Sequence, residues 1–248
     1  MSGHNKWSSI KHKKGAADAK RGKIFTKLVK EITVAAREGG GDPETNPRLR
    51  LAIANAKNAN MPSKNVDNAI KKGTGELEGV NYENVTYEGY GQGGVAVIVE
   101  ALTDNKQRTV AEVRHAFSKF GGNLAENGAV SFMFEKKGLI EVLAEDRDED
   151  EVMMEALEAG ADDIEKDDDK FIIYTPYNEL HSVLNQLESD GYKVEKAELT
   201  MIAKNTVNAD SVAEGLMKLL DKLDDLDDVQ KVYANYEISD EVMNKLAE

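Results

Sequence analysis

Apolar residues recur with the period of an α-helix near the start of the chain, between about residues 15 and 37. Spacings of three, four and seven positions place these residues on one face of a helix. Glycines at 39–41 end the segment. The apolar face consists of Phe25, Leu28, Ile32, Ala35 and Ala36.

Two further helices follow. Asn46 is a favourable N-cap residue and Pro47 suits the first helical position. Pro62 and Ser63 open another helical period, which we expect to end at residues 71–73, where two lysines precede a glycine. Residues 1–80 are therefore predicted to form a three-helix domain, the head domain.

Beyond residue 80 the pattern alternates between strands and amphipathic helices. Strands are predicted at 84–90, 95–99, 129–134, 139–143, 171–174, 193–202 and 229–236. Helices are predicted at 107–120, 149–158, 178–188 and 211–223, with a short helix at the C-terminus.

The element order predicts an α + α/β multidomain chain, in which the head domain precedes two ferredoxin-like α+β lobes. Residues 81–135 supply ββαβ, and residues 206–248 supply the helix and strand that complete a split β-α-β sandwich. Residues 136–205 then form an acidic third domain inserted in the second. A serial arrangement with a small C-terminal subdomain is the alternative topology.

Charge is divided unevenly along the chain. Residues 1–80 hold 16 basic and 8 acidic residues, a net charge of +8, whereas residues 81–248 hold 16 and 38, a net charge of −22. Such asymmetry points to a polyanion-binding end, and an uneven but otherwise ordinary surface is the alternative. Opposite the apolar face of the first helix, a ladder of ammonium groups is expected at Lys20, Lys23, Lys27 and Lys30.

Residues 1–14 read as a basic arm with one aromatic residue, Trp7, which either stacks on a base or packs on the head domain. Lysines neutralise phosphates without reading sequence. Arg48 and Arg50 are the nearest candidates for base readout, and we find no complete recognition helix. The other expected nucleic-acid contacts are Lys6, Lys11, His12, Lys13, Lys14 and Arg21.

A glycine-rich loop matches the Gly-x-Gly-x-x-Gly dinucleotide pattern. That pattern requires a helix after the loop, whereas the chain here enters a predicted strand, so nucleotide binding is not expected. A mobile turn and a backbone-rich loop that approaches RNA or peptide both fit. The loop is Gly89, Tyr90, Gly91, Gln92, Gly93 and Gly94.

The sequence offers no catalytic constellation, no cofactor motif and no metal site. Cysteine is absent, and the calcium-like spacing that starts at Asp146 lacks the required glycine and the final carboxylate. His115 falls on a solvent stripe of its predicted helix, and His181 carries no signal. We therefore expect a protein that is not an enzyme and has no small-molecule substrate.

No apolar run approaches the roughly 20 residues that span a bilayer, and the N-terminus lacks a secretory h-region. We expect a cytoplasmic protein with no membrane partner.

The run SGHNKWSSIKHKK at residues 2–14 closely resembles the YebC family and its mitochondrial relative, the translational activator of cytochrome oxidase. The likeness is strong to residue 135 and weaker but collinear beyond. Asn5 stands where serine is usual in the family, and Gln92 where proline is usual. The likeness also covers residues 20–38, NPRLR at 46–50, NMPSKN at 60–65, YEGYGQGG at 87–94, LTDN at 102–105, Arg108-Thr109 and FSKFGG at 117–122.

This resemblance implies a helical head followed by two α/β lobes, and two competing functions. One is a ribosome-bound translation factor that relieves stalling at difficult stretches such as consecutive prolines. Its head and glycine loop would approach ribosomal RNA and tRNA near the peptidyl-transfer site. The other is a DNA-binding transcriptional regulator. Sequence-blind lysine contacts suit ribosomal RNA, which is recognised by shape and backbone, so we favour the first. An adaptor for basic proteins also remains open.

Overall fold

The computed structural model of the protein describes residues 17–145, 147–167 and 169–247, with side chains from Arg21 to Leu246 within these ranges. Helices α1 (Ala17–Gly39), α2 (Pro47–Asn58) and α3 (Ser63–Thr74) form the described part of the head domain. Their apolar faces meet in one core around Ile32 and Leu49, which confirms the predicted packing face of α1.

Local capping sets the bounds of the head helices. The Asn46 side chain accepts a hydrogen bond from the Leu49 N–H at 3.1 Å, which confirms it as the N-cap of α2. Helix α3 continues past Gly73 to Thr74, and Gly75 ends it in the left-handed conformation, with φ +83°. The predicted end at residues 71–73 was therefore early.

The second domain is built on a four-stranded antiparallel sheet. Its elements are β1 (Glu83–Tyr90), β2 (Ala96–Thr103), α4 (Lys106–Lys119), β3 (Asn123–Leu124), α7 (Ala213–Asp224) and β9 (Val229–Ala234). The strand order is β3-β1-β2-β9. The helices pack on one face of the sheet, around Phe117 and Leu216. The opposite face packs against Val130 and Phe134, where the chain leaves for the third domain.

The third domain is a second four-stranded sheet with two helices. Its elements are β4 (Phe134–Leu143), α5 (Glu149–Glu158), β5 (Asp163–Asp167), β6 (Lys170–Pro176), α6 (Leu180–Ser189) and β7 (Val194–Ala203). The strand order β5-β6-β4-β7 gives a ferredoxin-like split β-α-β topology. The domain lies in the chain between β3 and β9, yet β9 pairs with β2. The predicted fold class, with the third domain inserted in the second, is confirmed; the boundaries at 81, 136 and 206 stay a prediction.

Two short strands, β8 (Val207–Asn208) and β10 (Tyr236–Glu237), pair in parallel, and α8 (Asp240–Ala247) is the last described helix. In the part of the chain that the structure describes, no helix combines the length and the apolar character that crossing a membrane requires.

The predicted strand at 129–134 is wrong. Residues 131–133 form a 3₁₀ turn, and β4 begins only at Phe134. The cause is Glu88, whose buried carboxylate accepts hydrogen bonds from the N–H groups of Gly128, Val130 and Ser131 at 2.7–2.9 Å. Those donors are already engaged and cannot join a strand ladder. Strand β5 was missed because its sequence, DIEKD, is almost entirely charged.

Candidate nucleic-acid interface

The lysine face of α1, which consists of Lys23, Lys27 and Lys30, packs against acidic residues of the same chain. Lys23 pairs with Asp225, and Lys27 with Asp224, each at 2.8 Å between ammonium nitrogen and carboxylate oxygen. Lys30 pairs with Asp228 at the same distance. These carboxylates belong to residues 224–228, the acidic segment, which joins α7 to β9. The three lysines lie on one face of α1, as predicted, but each is paired with a carboxylate and Lys30 is buried, so Lys30 is not available to a ligand. The Lys20 side chain lies outside the described residues.

The three pairs differ in their access to solvent. The side chains of Lys23 and Asp225 are 46% and 52% exposed, whereas those of Lys30 and Asp228 are 8% and 5% exposed. The Lys27 side chain is intermediate, at 22%. The lysine face thus passes from an accessible end to an inaccessible one.

Asp228 is the centre of a buried polar network. Besides Lys30, its carboxylate accepts hydrogen bonds from Arg108 at 2.6 Å, from the Thr109 hydroxyl at 2.8 Å and from the Thr103 hydroxyl at 3.1 Å. Burial alone would raise the pKa of Asp228, but the hydrogen bonds from Lys30, Arg108 and Thr109 outweigh it and hold the pKa at about 2.

The residues of the LTDN and Arg108-Thr109 motifs have a structural role in this network. Asn105 caps α4 by accepting from the Arg108 N–H at 3.0 Å, and the Thr109 and Thr103 hydroxyls lie 2.8 Å apart. Lys30 also donates to the Asp227 carbonyl at 2.8 Å. The sequence pattern reveals the motif but not its partner, because Asp228 follows Arg108 by 120 residues. The network joins the head domain to the second domain.

The two arginines proposed for base readout are in different situations. Arg48 is tied to Glu31 at 2.8 Å and to Glu38 at 2.5 Å, so its guanidinium is engaged within the head domain. Arg50 is exposed and lies near His181, whose pKa is lowered by burial and then by the Arg50 charge. Only Arg50 of this pair is presented to a ligand.

The excess positive charge of the head domain lies in residues 1–30, which hold nine basic residues and one acidic residue. Residues 31–80 hold seven of each. Arg21 is exposed at the accessible end of α1. The remaining predicted contacts stay predictions because they lie outside the described residues; these are Lys6, Trp7, Lys11, His12, Lys13 and Lys14.

The glycine loop is the tight turn between β1 and β2. The Gly91 N–H donates to the Val95 carbonyl at 2.8 Å, and strand β2, not a helix, follows. A Cβ on Gly89 would lie 2.6 Å from the Asn123 carbonyl oxygen, so this glycine serves close packing. Gly93 and Gly94 are exposed with φ of +71° and +76°, a conformation that glycine adopts without strain.

The other two loop side chains point to neighbouring backbone. The Gln92 amide donates to the Phe120 carbonyl at 2.9 Å, and the Tyr90 hydroxyl donates to the Ala129 carbonyl at 3.1 Å. Gln92 therefore anchors the turn by its side chain. Gly93 and Gly94 are the part of the loop that a ligand can reach.

Across the described ranges, no three His, Asp or Glu side chains converge as metal ligands would. Asp148, from the calcium-like run, instead caps α5 by accepting from the Asp150 and Glu151 N–H groups at 3.0 and 3.3 Å. His115 is exposed, as predicted for a solvent face.

The fold and this charge arrangement define a three-domain α+β protein, with a basic helical head domain seated on two acidic lobes. The chain matches the TACO1/YebC N-terminal domain over residues 5–76 and the TACO1/YebC second and third domain over residues 82–236. It belongs to the TACO1/YebC family.

Relatives align along nearly the whole chain. A probable transcriptional regulatory protein of Desulfosudis oleivorans is 60% identical over 98% of this chain and 99% of its own length. One of Persephonella marina, with the same description, is 58% identical over the full length of both. The crystal structure of a conserved hypothetical protein from Aquifex aeolicus, 53% identical, superposes with a TM-score of 0.86 over 93% of this chain and 96% of that one.

Proposed function

We propose that the protein regulates gene expression by binding the phosphate backbone of nucleic acid with the basic residues of the head domain. The observation that carries this proposal is the separation of charge. A net +8 lies in residues 1–30, residues 31–80 are neutral, and residues 81–248 carry −22. Lys6, Lys11, Lys13, Lys14, Lys20 and Arg21 form the proposed grip, with Trp7 and His12 beside it.

The finer proposal is that the nucleic acid is ribosomal RNA, and that the protein relieves translational stalling at stretches such as consecutive prolines. Arg48 is engaged by Glu31 and Glu38, so the described head domain presents little for base readout. Recognition by shape and backbone suits RNA. The acidic lobes would repel phosphates and restrict binding to one orientation, which brings the exposed Gly93 and Gly94 toward the ligand in this proposal.

The second candidate is a DNA-binding transcriptional regulator. It is favoured by the description of the Desulfosudis oleivorans and Persephonella marina relatives as probable transcriptional regulatory proteins. Specific readout would then require Arg50, the residues before Ala17, or two copies of the chain on one site.

The grip is tested by the double variant Lys13→Ala/Lys14→Ala. Its affinity for RNA should fall to a similar extent for all sequences, and the slope of log K against log salt should flatten by about 0.7–0.9 for each phosphate that the variant no longer neutralises. The matched control is Lys193→Ala/Lys222→Ala, which removes the same charge from exposed positions of the lobes. An unchanged slope in the first variant would contradict the proposed grip.

Ribosome profiling of a deletion strain separates the two candidates. Pauses at defined codon runs, such as consecutive proline codons, support the translational proposal. Normal elongation, together with promoter-specific footprints that survive about 150 mM salt and competitor DNA, supports the transcriptional one.

A further inference from the structure

Each lysine of the lysine face of α1 forms an ion pair with a different aspartate of the acidic segment. Lys23, Lys27 and Lys30 follow one another at spacings of four and three residues, so they form one stripe along the helix. Each meets a different aspartate at 2.8 Å. The acidic segment therefore presents carboxylates where a bound polyanion would present phosphates.

The carboxylate partner of Lys30 is held in a buried site, whereas those of Lys23 and Lys27 are exposed and can be exchanged for another anion. Lys30 is held by Asp228 and two backbone carbonyls, away from solvent. Lys23 and Lys27 each contact one carboxylate and one carbonyl of the acidic segment, and Asp224 and Asp225 are about half exposed. An exposed ion pair shifts an equilibrium by only about fivefold at most, so phosphate can replace these carboxylates at small cost.

A crevice already separates the two elements at this point. It has a volume of about 270 Å³ and is lined on the α1 side by Gly22 and Thr26 together with the two lysines, and on the other side by Leu226 and Asp227 together with Asp224. Gly22 carries no side chain to obstruct the entrance, and a Cβ there would meet nothing within 4 Å. A phosphate group can therefore reach the ammonium groups of Lys23 and Lys27 from solvent.

We propose that Lys23 and Lys27 form a phosphodiester-binding subsite that Asp224 and Asp225 close in the free protein, and that nucleic acid opens by replacing the two carboxylates. This proposal rests on the proposed nucleic-acid binding and adds its regulation. The subsite begins within one helical turn of Arg21, so it continues the N-terminal grip along α1. A ligand with few negative charges does not form enough ion pairs with the lysines to displace both aspartates. A phosphate backbone, with its closely spaced charges, does.

The direct test neutralises the closing carboxylates with Asp224→Asn/Asp225→Asn. Binding of a fluorescein-labelled RNA oligonucleotide is followed by fluorescence anisotropy over a series of KCl concentrations. We expect the affinity to rise about three- to tenfold and the salt dependence to steepen by roughly 1 to 2, because two lysines now exchange counterions for phosphate without releasing carboxylates. The Lys30–Asp228 pair is unchanged, so the melting temperature should stay near that of the wild type.

The matched control is Glu151→Gln/Glu158→Gln, which removes two exposed carboxylates from α5 of the third domain. It should change the affinity less than about twofold. Adding Lys23→Ala/Lys27→Ala should abolish the gain in the aspartate variant, and should cost less in the wild-type background, where the lysines are covered.

An equal gain in the control variant, no gain in the aspartate variant, or a gain that survives removal of the two lysines would each overturn the subsite. If the wild type and every variant fail to bind RNA and DNA at low salt, the proposed function itself fails. The two failures are thus distinguishable.

Discussion

Asp228 shows what a single residue contributes to this assembly. A buried carboxylate is costly unless it is paired and hydrogen-bonded, and removing one partner of such a pair typically costs about 3–5 kcal/mol. Four side chains donate to Asp228, whereas Asp225 has one lysine and open solvent. The Lys30–Asp228 and Lys23–Asp225 pairs are chemically similar and lie on the same face of α1. The buried pair nevertheless stabilises the fold, whereas the exposed pair contributes little to stability.

The depressed pKa of Asp228 makes the stability depend on pH. Its folded-state pKa is about 2, below the ordinary value near 3.8. The stabilisation is therefore complete above about pH 5 and is lost as the pH falls toward 2, which lowers the free energy of unfolding by about 2 kcal/mol. Urea unfolding between pH 2 and 5 should show a loss of stability that is smaller by about 2 kcal/mol in Asp228→Asn than in the wild type, because other carboxylates with a lowered pKa, such as Glu198, titrate in both proteins. Asp225→Asn should retain the wild-type loss; equal pH profiles for the wild type and Asp228→Asn would contradict the assignment.

At the scale of elements, the close approach of α1 and α3 depends on a glycine inside a helix. A Cβ on Gly73 would lie 2.4 Å from the Thr33 carbonyl oxygen and 2.8 Å from the Ala36 Cβ. The sequence pattern predicts that Gly73 ends α3, because glycine commonly follows lysines at a helix C-terminus. Its actual role is to let two helix backbones approach.

Gly73→Ala should destabilise the protein by about 1–3 kcal/mol, because the helices must separate to accept a methyl group. Gly22→Ala provides the matched control in α1. Its Cβ meets nothing within 4 Å, so the higher helix propensity of alanine should stabilise the protein by about 0.5–1 kcal/mol. Thermal unfolding measures both. The same sign for the two variants would contradict the packing argument.

Periodicity predicts most elements and the fold class, since each amphipathic helix or strand carries its own pattern. It fails where a distant residue decides the local structure. Glu88 takes the N–H groups that a strand at 129–134 would have used. The helical periodicity of the sequence also places Lys23, Lys27 and Lys30 correctly on one face of α1. It shows that this face is polar, but it does not show which part of the chain packs against it.

At the scale of the whole molecule, the head domain contacts both lobes. Helix α1 meets the acidic segment through the lysine stripe. Helix α2 meets edge strand β7, where Asn55 donates to the Ala197 carbonyl at 3.1 Å and Asn58 to the Glu195 carbonyl at 2.6 Å. These amides also occupy backbone acceptors that an edge strand would otherwise expose. The head domain thus spans both lobes.

Because these contacts fix the head domain against both lobes, the protein should unfold in one calorimetric transition. Asp228→Asn combined with Asn55→Ala/Asn58→Ala should release the head domain as a separate transition at lower temperature, since the variant removes the buried pair and both edge hydrogen bonds. Asp224→Asn/Asp225→Asn, which leaves the buried pair intact, should keep the single transition. A single transition in the triple variant would contradict this expectation and would show that the remaining contacts, such as those of Arg37 with Asn81 and Tyr82, suffice to couple the domains.

The Lys30–Asp228 pair also bears on how the chain can be divided. A cut after residue 80 would leave Lys30 on one fragment and Asp228 on the other, and would expose the Lys30 ammonium group, which has no other carboxylate partner in the described structure, to solvent. The isolated N-terminal fragment would then bind polyanions more tightly than the intact protein does, so affinities measured on it would mislead. Mixed together, the two fragments should reassociate, because their complementary surfaces, and not the peptide link, hold the head domain in place.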